Sequence, residues 1–170
     1  MKLIFDIETN GLYFDLTKIH CVAIKNLDSG ETLVYNDEGD MESITSAITL
    51  LDSADWLIGH NIIGYDIPVI QKFFPFFNPK GKSIDTLLLS RLRYPNMLWK
   101  DSNEKRIPSK MFGRHSLESW GHRLKCFKGE FGKTTDWKHW SQELQDYMIQ
   151  DTTVTATLWD HFHQSYPGLP

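Results

Sequence analysis

Cysteine is scarce: Cys21 and Cys126 are the only two in 170 residues, far apart and without metal-ligand spacing. That speaks against a disulfide framework, and free thiols in a reducing compartment are the expectation. Long apolar runs are missing as well. None approaches the roughly 20 residues that cross a bilayer, and the first residues show no charged stretch followed by an apolar one and a cleavage site. The expected setting is cytoplasmic, with no membrane partner. Gly-rich phosphate loops, internal repeats, heptads and low-complexity segments are likewise absent. Seven histidines invite a zinc reading, but no Cys-x-x-Cys or His-Glu-x-x-His occurs. His115 and His122 are two helical turns apart, and His161 and His163 face different ways on a helix, so a zinc site is not expected. His60 and His115 read instead as residues that satisfy hydrogen bonds or line a binding channel.

Positive charge is also short, at a net −4, but it is unevenly spread. Residues 72–138 carry 15 Lys and Arg against 6 Asp and Glu, a balance of +9, while the remainder carries 3 against 16, or −13. A basic stretch with Phe112, Trp120, Trp137 and Trp140 in or beside it suits a nucleic-acid strand, because cations track phosphates and aromatic faces stack on unpaired bases. Taken singly, each of those aromatics reads first as core.

What is present is an ordinary globular composition, 41% apolar, enough for one domain over residues 1–170. Strands are expected at 2–7, 19–25 and 31–35, with Asp28-Ser29-Gly30 turning between the last two, which makes an antiparallel meander. Ile44, Ala47, Ile48 and Leu51 follow i, i+3, i+4, i+7, an amphipathic helix. A short strand at 56–58, a helix from about 67 and another over 85–93 follow. Residues 96–114 are polar, with Pro95 and Pro108 nearby, and read as a long loop. Two helices finish the chain.

Four carboxylates stand in three short contexts. In FDIETNGL, Asp6 and Glu8 share one face of the first strand while Ile7 points to the other. Thr9, Asn10 and Gly11 then end that strand with turn residues. In HNIIGYDIP, Gly59-His60-Asn61 ends a strand and Pro68 fits the first turn of a helix, which puts Asp66 at or beside its N-terminus. Asp66 reads as a helix cap or as a ligand, and both remain open. In DYMIQD, Tyr147 and Asp151 are i and i+4 on a helix from Ser141 to about Phe162, so they share a face. A core tyrosine and a solvated aspartate would show the same spacing. Together the three contexts suggest four acids at one end of an α/β sheet, a repulsive cluster that divalent cations would hold. Such a cluster with a nearby tyrosine is equipment for phosphodiester hydrolysis.

In that order, DIET, Asn-x4-Asp with an aromatic before the Asp (Asn61 to Asp66), and Tyr-x3-Asp resemble the three exonuclease motifs of the DEDD (DnaQ-like) 3′–5′ exonucleases. The tyrosine resembles the DEDDy branch, since the position where the other branch has His is Asp146 here. SIDTLLLSRL (83–92) and RHSLESWGHRLKCFKGEF (114–131) resemble segments of the proofreading domains of phage family A replicative DNA polymerases, so the likeness covers nearly the whole chain. It implies an α/β, ribonuclease H-like fold, a single domain whose mixed β-sheet joins the antiparallel meander to parallel strands and is flanked by helices. It implies that Asp6, Glu8, Asp66 and Asp151 hold two divalent cations, Mg²⁺ or Mn²⁺, and that Tyr147 positions the attacking water. The phenol's pKa near 10 makes orientation, not proton abstraction, its expected task. It also implies that Thr9, Asn10 and Leu12 meet the terminal nucleotide, and that Asn61 and Tyr65 line the substrate channel. Asn61 has a second reading, satisfying backbone groups in a turn.

The leading expectation is a metal-dependent 3′–5′ exonuclease that releases nucleoside 5′-monophosphates from single-stranded DNA ends, in proofreading or degradation. An exoribonuclease acting on RNA 3′ ends is the second reading. A catalytically silent module that binds nucleic acid or a polymerase is the third, and the full set of acids argues against it. In the phage enzymes such a domain precedes a much larger polymerase domain. This chain is then expected to be a freestanding nuclease that serves a separate DNA polymerase subunit, or one domain of a longer protein; phage origin would place it in the host cytoplasm.

Overall fold

The computed structural model describes residues 1–38, 42–126, 136–165 and 168–169. The last residues of the 114–131 segment, with Lys128 and Lys133 of the basic stretch, lie outside these. Five strands form one sheet: β1 (Lys2–Thr9), β2 (Ile19–Asn26), β3 (Thr32–Asn36), β4 (Trp56–Gly59) and β5 (Lys82–Asp85). Their order is β3-β2-β1-β4-β5. β1 pairs antiparallel with β2, and β2 with β3, giving the expected meander. β4 runs parallel to β1, and β5 parallel to β4. The helices are α1 (Ile44–Asp52), α2 (Asp66–Phe73), α3 (Thr86–Arg93), α4 (Met97–Glu104), α5 (Leu117–Leu124) and α6 (Gln142–Ser165).

Strand alternation sorts β1 onto two faces. Leu3, Phe5 and Ile7 join Val22, Ile24 and Leu57 in the larger core, closed by Ile44, Ala47, Ile48 and Leu51 of α1 and by Val69 and Ile70 of α2. Burial of each such side chain contributes about 1.5–3 kcal/mol. On the other face, Ile4 and Ile58 meet Ala156 and Trp159 of α6, while Cys21 and Ala23 meet Met148. Asp6 and Glu8 belong to the face that α6 covers. Ser141 caps α6 as expected, its hydroxyl accepting from the Leu144 amide at 3.2 Å. A buried bond from Asn36 Nδ2 to Gln145 Oε1 (2.6 Å) ties the edge strand to the start of the same helix.

Residues 96–114 are not the long loop expected. They contain α4 and a 3₁₀ turn at Ser109–Met111. Met97 and Met111 are buried, and the buried Asp101 draws the segment together. Its carboxylate accepts from Arg123 Nε (3.0 Å), from Arg123 Nη2 (2.7 Å) and from the Gly113 amide (2.8 Å). Strand β5 was not expected either. Both cysteines are free, and burial pushes the Cys21 thiol pKa up. No helix among the described residues is long and apolar enough to cross a membrane.

Candidate active site

The antiparallel ladder of β1 is irregular between Glu8 and Thr9, at the end of the strand where the acids lie. Bulges next to sites re-aim side chains. Asp6 and Glu8 from β1 and Asp151 from α6 each present a carboxylate oxygen, and the three oxygens lie within 4.8 Å of one another. At such spacing like charges repel by several kcal/mol near a protein surface. A divalent cation relieves that, and an all-carboxylate oxygen set suits Mg²⁺ or Mn²⁺.

Asp66 stands outside this trio, as the first residue of α2, and is almost fully buried. Its Oδ1 accepts from the Ile7 amide at 3.2 Å. Burial pushes its pKa up to about 7, against the Ile7 hydrogen bond and with help from the Asp85 charge. Asp6, Glu8, Asp66, Asp151 and Tyr147 nevertheless line one cleft of about 800 Å³. Tyr147 sits edge-on to Trp137, ring centroids 6.1 Å apart. His20 Nε2 donates to the Trp137 carbonyl at 3.1 Å and so holds that residue in place.

The cleft continues into a recess of about 350 Å³ lined by Ile7, Glu8, Thr9, Gly11, Leu12, Tyr65 and Trp137. Tyr65 Oη, Thr9 Oγ1 and the Gly11 carbonyl oxygen form a triangle 2.6 to 2.8 Å on a side, two of whose sides the two hydroxyl protons fill at a time, and this fixes the recess wall. Burial, the largest influence, raises the Tyr65 pKa. Leu12 stands at the rim, 75% exposed. Asn10 turns away, its carboxamide bonded to Thr17 and Lys18 within its own loop, and it lines neither cavity.

Asn61 does line the cleft, in the left-handed region at φ 68°. Its amide donates to Asp85 Oδ1 at 2.9 Å, and that of Ile63 to Asp85 Oδ2 at 3.1 Å. Asp85 also caps α3 through the Leu87 amide. This buried acid therefore joins the turn after β4 to the start of α3. Sequence reasoning missed it, although an acid before TLLL is a helix-start signal. Gly59 is required just upstream, since a Cβ there would lie 2.9 Å from the Phe5 carbonyl. His60 Nδ1 bonds Thr86 Oγ1 at 2.9 Å, and the Thr86 hydroxyl donates to the Gly59 carbonyl.

On the remaining side the cleft is lined by Arg91, Arg114, His115 and the first residues of α5. Of the aromatics in the basic stretch, Trp137 lines both cavities, whereas Trp120 is core, packed with Tyr94 and Phe162.

A mixed five-stranded sheet, with acids gathered on its central strand and on the helix that covers it, is the frame of a ribonuclease H-like domain. The chain belongs to the RNase_H superfamily, whose RNase_H_2 family model matches residues 3–163. It is 33% identical to the DNA-directed DNA polymerase of Enterobacteria phage T3 and 30% identical to that of Escherichia phage T7, in each case over 92% of this chain. It spans about a quarter of the length of those relatives, 26% of each. Among solved structures, Brucella melitensis NrnC with bound Mg²⁺ superposes with a TM-score of 0.62 at 19% identity, covering 96% of this chain and 72% of that one. The zinc-bound complex of E. coli ExoI with single-stranded DNA gives 0.63 at 17%, covering 98% and 41%. At these identities the likeness is one of fold.

Proposed function

We propose that this domain is a metal-dependent 3′–5′ exonuclease of the DEDDy type, acting on single-stranded DNA ends and releasing nucleoside 5′-monophosphates. One observation carries the reading: three carboxylates from two elements converge within 4.8 Å, in a cleft that opens into a mostly apolar recess. The recess takes the terminal nucleotide, with Leu12 and Trp137 against the base and the Thr9–Gly11 turn against the 3′ end. The trio, with Asp66 beside it, holds two divalent cations, Mg²⁺ or Mn²⁺. When bound, such ions lower the pKa of the attacking water and stabilise the leaving 3′ oxygen. Tyr147, one helical turn from Asp151, orients that water through its phenol.

DNA is preferred to RNA as substrate because the relatives sharing a third of this sequence are DNA-directed DNA polymerases. The same likeness supports proofreading beside a polymerase domain or subunit. The strand in the E. coli complex and the Mg²⁺ in the Brucella protein are consistent with the substrate and cofactor chosen. Product analysis tests the reading. Chromatography of a digest of single-stranded DNA should show deoxynucleoside 5′-monophosphates from the first time point, with matched RNA digested more slowly. Internal fragments, or faster release from RNA, would overturn it.

A further inference from the structure

Behind His115, which lines the cleft, runs a hydrogen-bond chain that fixes one proton. Trp120 is core, and its indole Nε1–H donates to Ser90 Oγ at 2.8 Å. Ser90 is fully buried, and its Oγ also lies 2.7 Å from His115 Nδ1. An indole N–H can only donate, so one Ser90 lone pair is taken. The Ser90 hydroxyl proton then needs an acceptor, and His115 Nδ1 is the one at hand among the described residues. A proton on Nδ1 would leave that buried hydroxyl hydrogen without a partner, at a cost of about 1–3 kcal/mol. The chain therefore runs Trp120 to Ser90 to His115, and the imidazole carries its hydrogen on Nε2. Because Nδ1 faces the interior, the edge His115 offers to the cleft is the one bearing Nε2–H.

Its surroundings suit an anion. Arg91 and Arg114 line the same wall, and Ser116 and Leu117 begin α5 immediately after His115. Burial, followed by the charges of Arg123 and Arg91, lowers the His115 pKa, which favours the neutral imidazole.

We propose that His115 is a phosphate-binding residue, its Nε2–H donating to a non-bridging oxygen of the strand in the cleft, and that Ser90 is the positioning residue that fixes its tautomer. The inference rests on the cleft being the nucleic-acid site. It adds a neutral, directional donor to two flexible cationic side chains, which fixes where along the wall a phosphate sits.

Two measurements test it. Imidazole ¹⁵N NMR of the free full chain should show His115 protonated on Nε2, and Ser90→Ala should release it to a mixture of tautomers. Steady-state hydrolysis of single-stranded DNA should show KM raised about tenfold in His115→Phe, the worth of one lost hydrogen bond to a charged phosphate, with kcat little changed. His115→Gln should recover most of the loss, since its amide nitrogen reaches the place of Nε2. His115→Asn should not, since its amide ends near Nδ1. A proton on Nδ1, rescue by Asn but not Gln, or an unchanged KM in a folded His115→Phe protein would overturn the proposal while leaving the exonuclease reading standing. A wild-type protein that fails to hydrolyse DNA with Mg²⁺ or Mn²⁺ would remove that reading, and this inference with it.

Discussion

The amide of Ile7 donates to Oδ1 of Asp66 at 3.2 Å, tying the central strand to the first residue of α2. Ile7 points into the larger core while its neighbours Asp6 and Glu8 point toward α6. One residue of β1 thus anchors the fourth acid, and the residues on either side supply two of the other three.

Asp6→Asn and Asp151→Asn should each lower hydrolysis by at least about a hundredfold, more than the loss of an outer-shell partner costs a metal site. Both should melt in EDTA at the wild-type temperature or above it, because removing one charge relieves repulsion in the metal-free trio. Activity near wild type would remove these residues from the site.

Tyr147→Phe should bind Mn²⁺ like wild type in a calorimetric titration, yet lose about 10- to 100-fold in kcat, the worth of one lost orienting hydrogen bond to a charged group. The ring keeps its packing against Trp137, so KM should hold. An unchanged kcat would show that the phenol does not orient the water.

Arg91→Glu and Arg114→Glu are surface changes on the cleft wall. Each should weaken single-stranded DNA binding and reduce the slope of log affinity against log salt by about one. A slope equal to wild type would place the strand elsewhere.

Burial acts to raise the Asp101 pKa, but the hydrogen bonds from Arg123 and Gly113 outweigh it and leave the pKa below its ordinary value. The unfolded value is near 4. The stabilisation is therefore present above about pH 4 and is lost as pH falls through the lower, folded value. Asp101→Asn should cost up to about 3 kcal/mol at pH 7, because a partly buried guanidinium loses its counter-charge. In urea titrations that difference should shrink below pH 4. A constant difference would mean that the pair contributes no charge-dependent stability.

The elements carrying the acids were legible because their signals are local. The apolar run of KLIFDI, with Asp6 and Glu8 two residues apart, and the i, i+4 spacing of Tyr147 and Asp151 survive without knowledge of the fold. The missed elements have the opposite character. Strand β5 is four residues long, and Lys82 and Ser83 are exposed. Helix α4 has no side-chain cap and buries only Met97 and Asp101, and a buried acid reads as surface in a sequence. The bonds from Asn61 and Ile63 to Asp85, and the Trp120–Ser90–His115 chain, join residues more than 20 positions apart. Their partners become identifiable only once the sheet brings them together.

We propose that the carboxylate cleft removes nucleotides one at a time from a 3′ end with the aid of divalent ions. A gel time course on 5′-labelled single-stranded DNA, with Mg²⁺, with Mn²⁺ and with EDTA, tests it most directly. A ladder shortening by single nucleotides from the 3′ end, abolished by EDTA, is the expected result. Intact substrate with both ions and folded protein, or shortening that persists in EDTA, would contradict it.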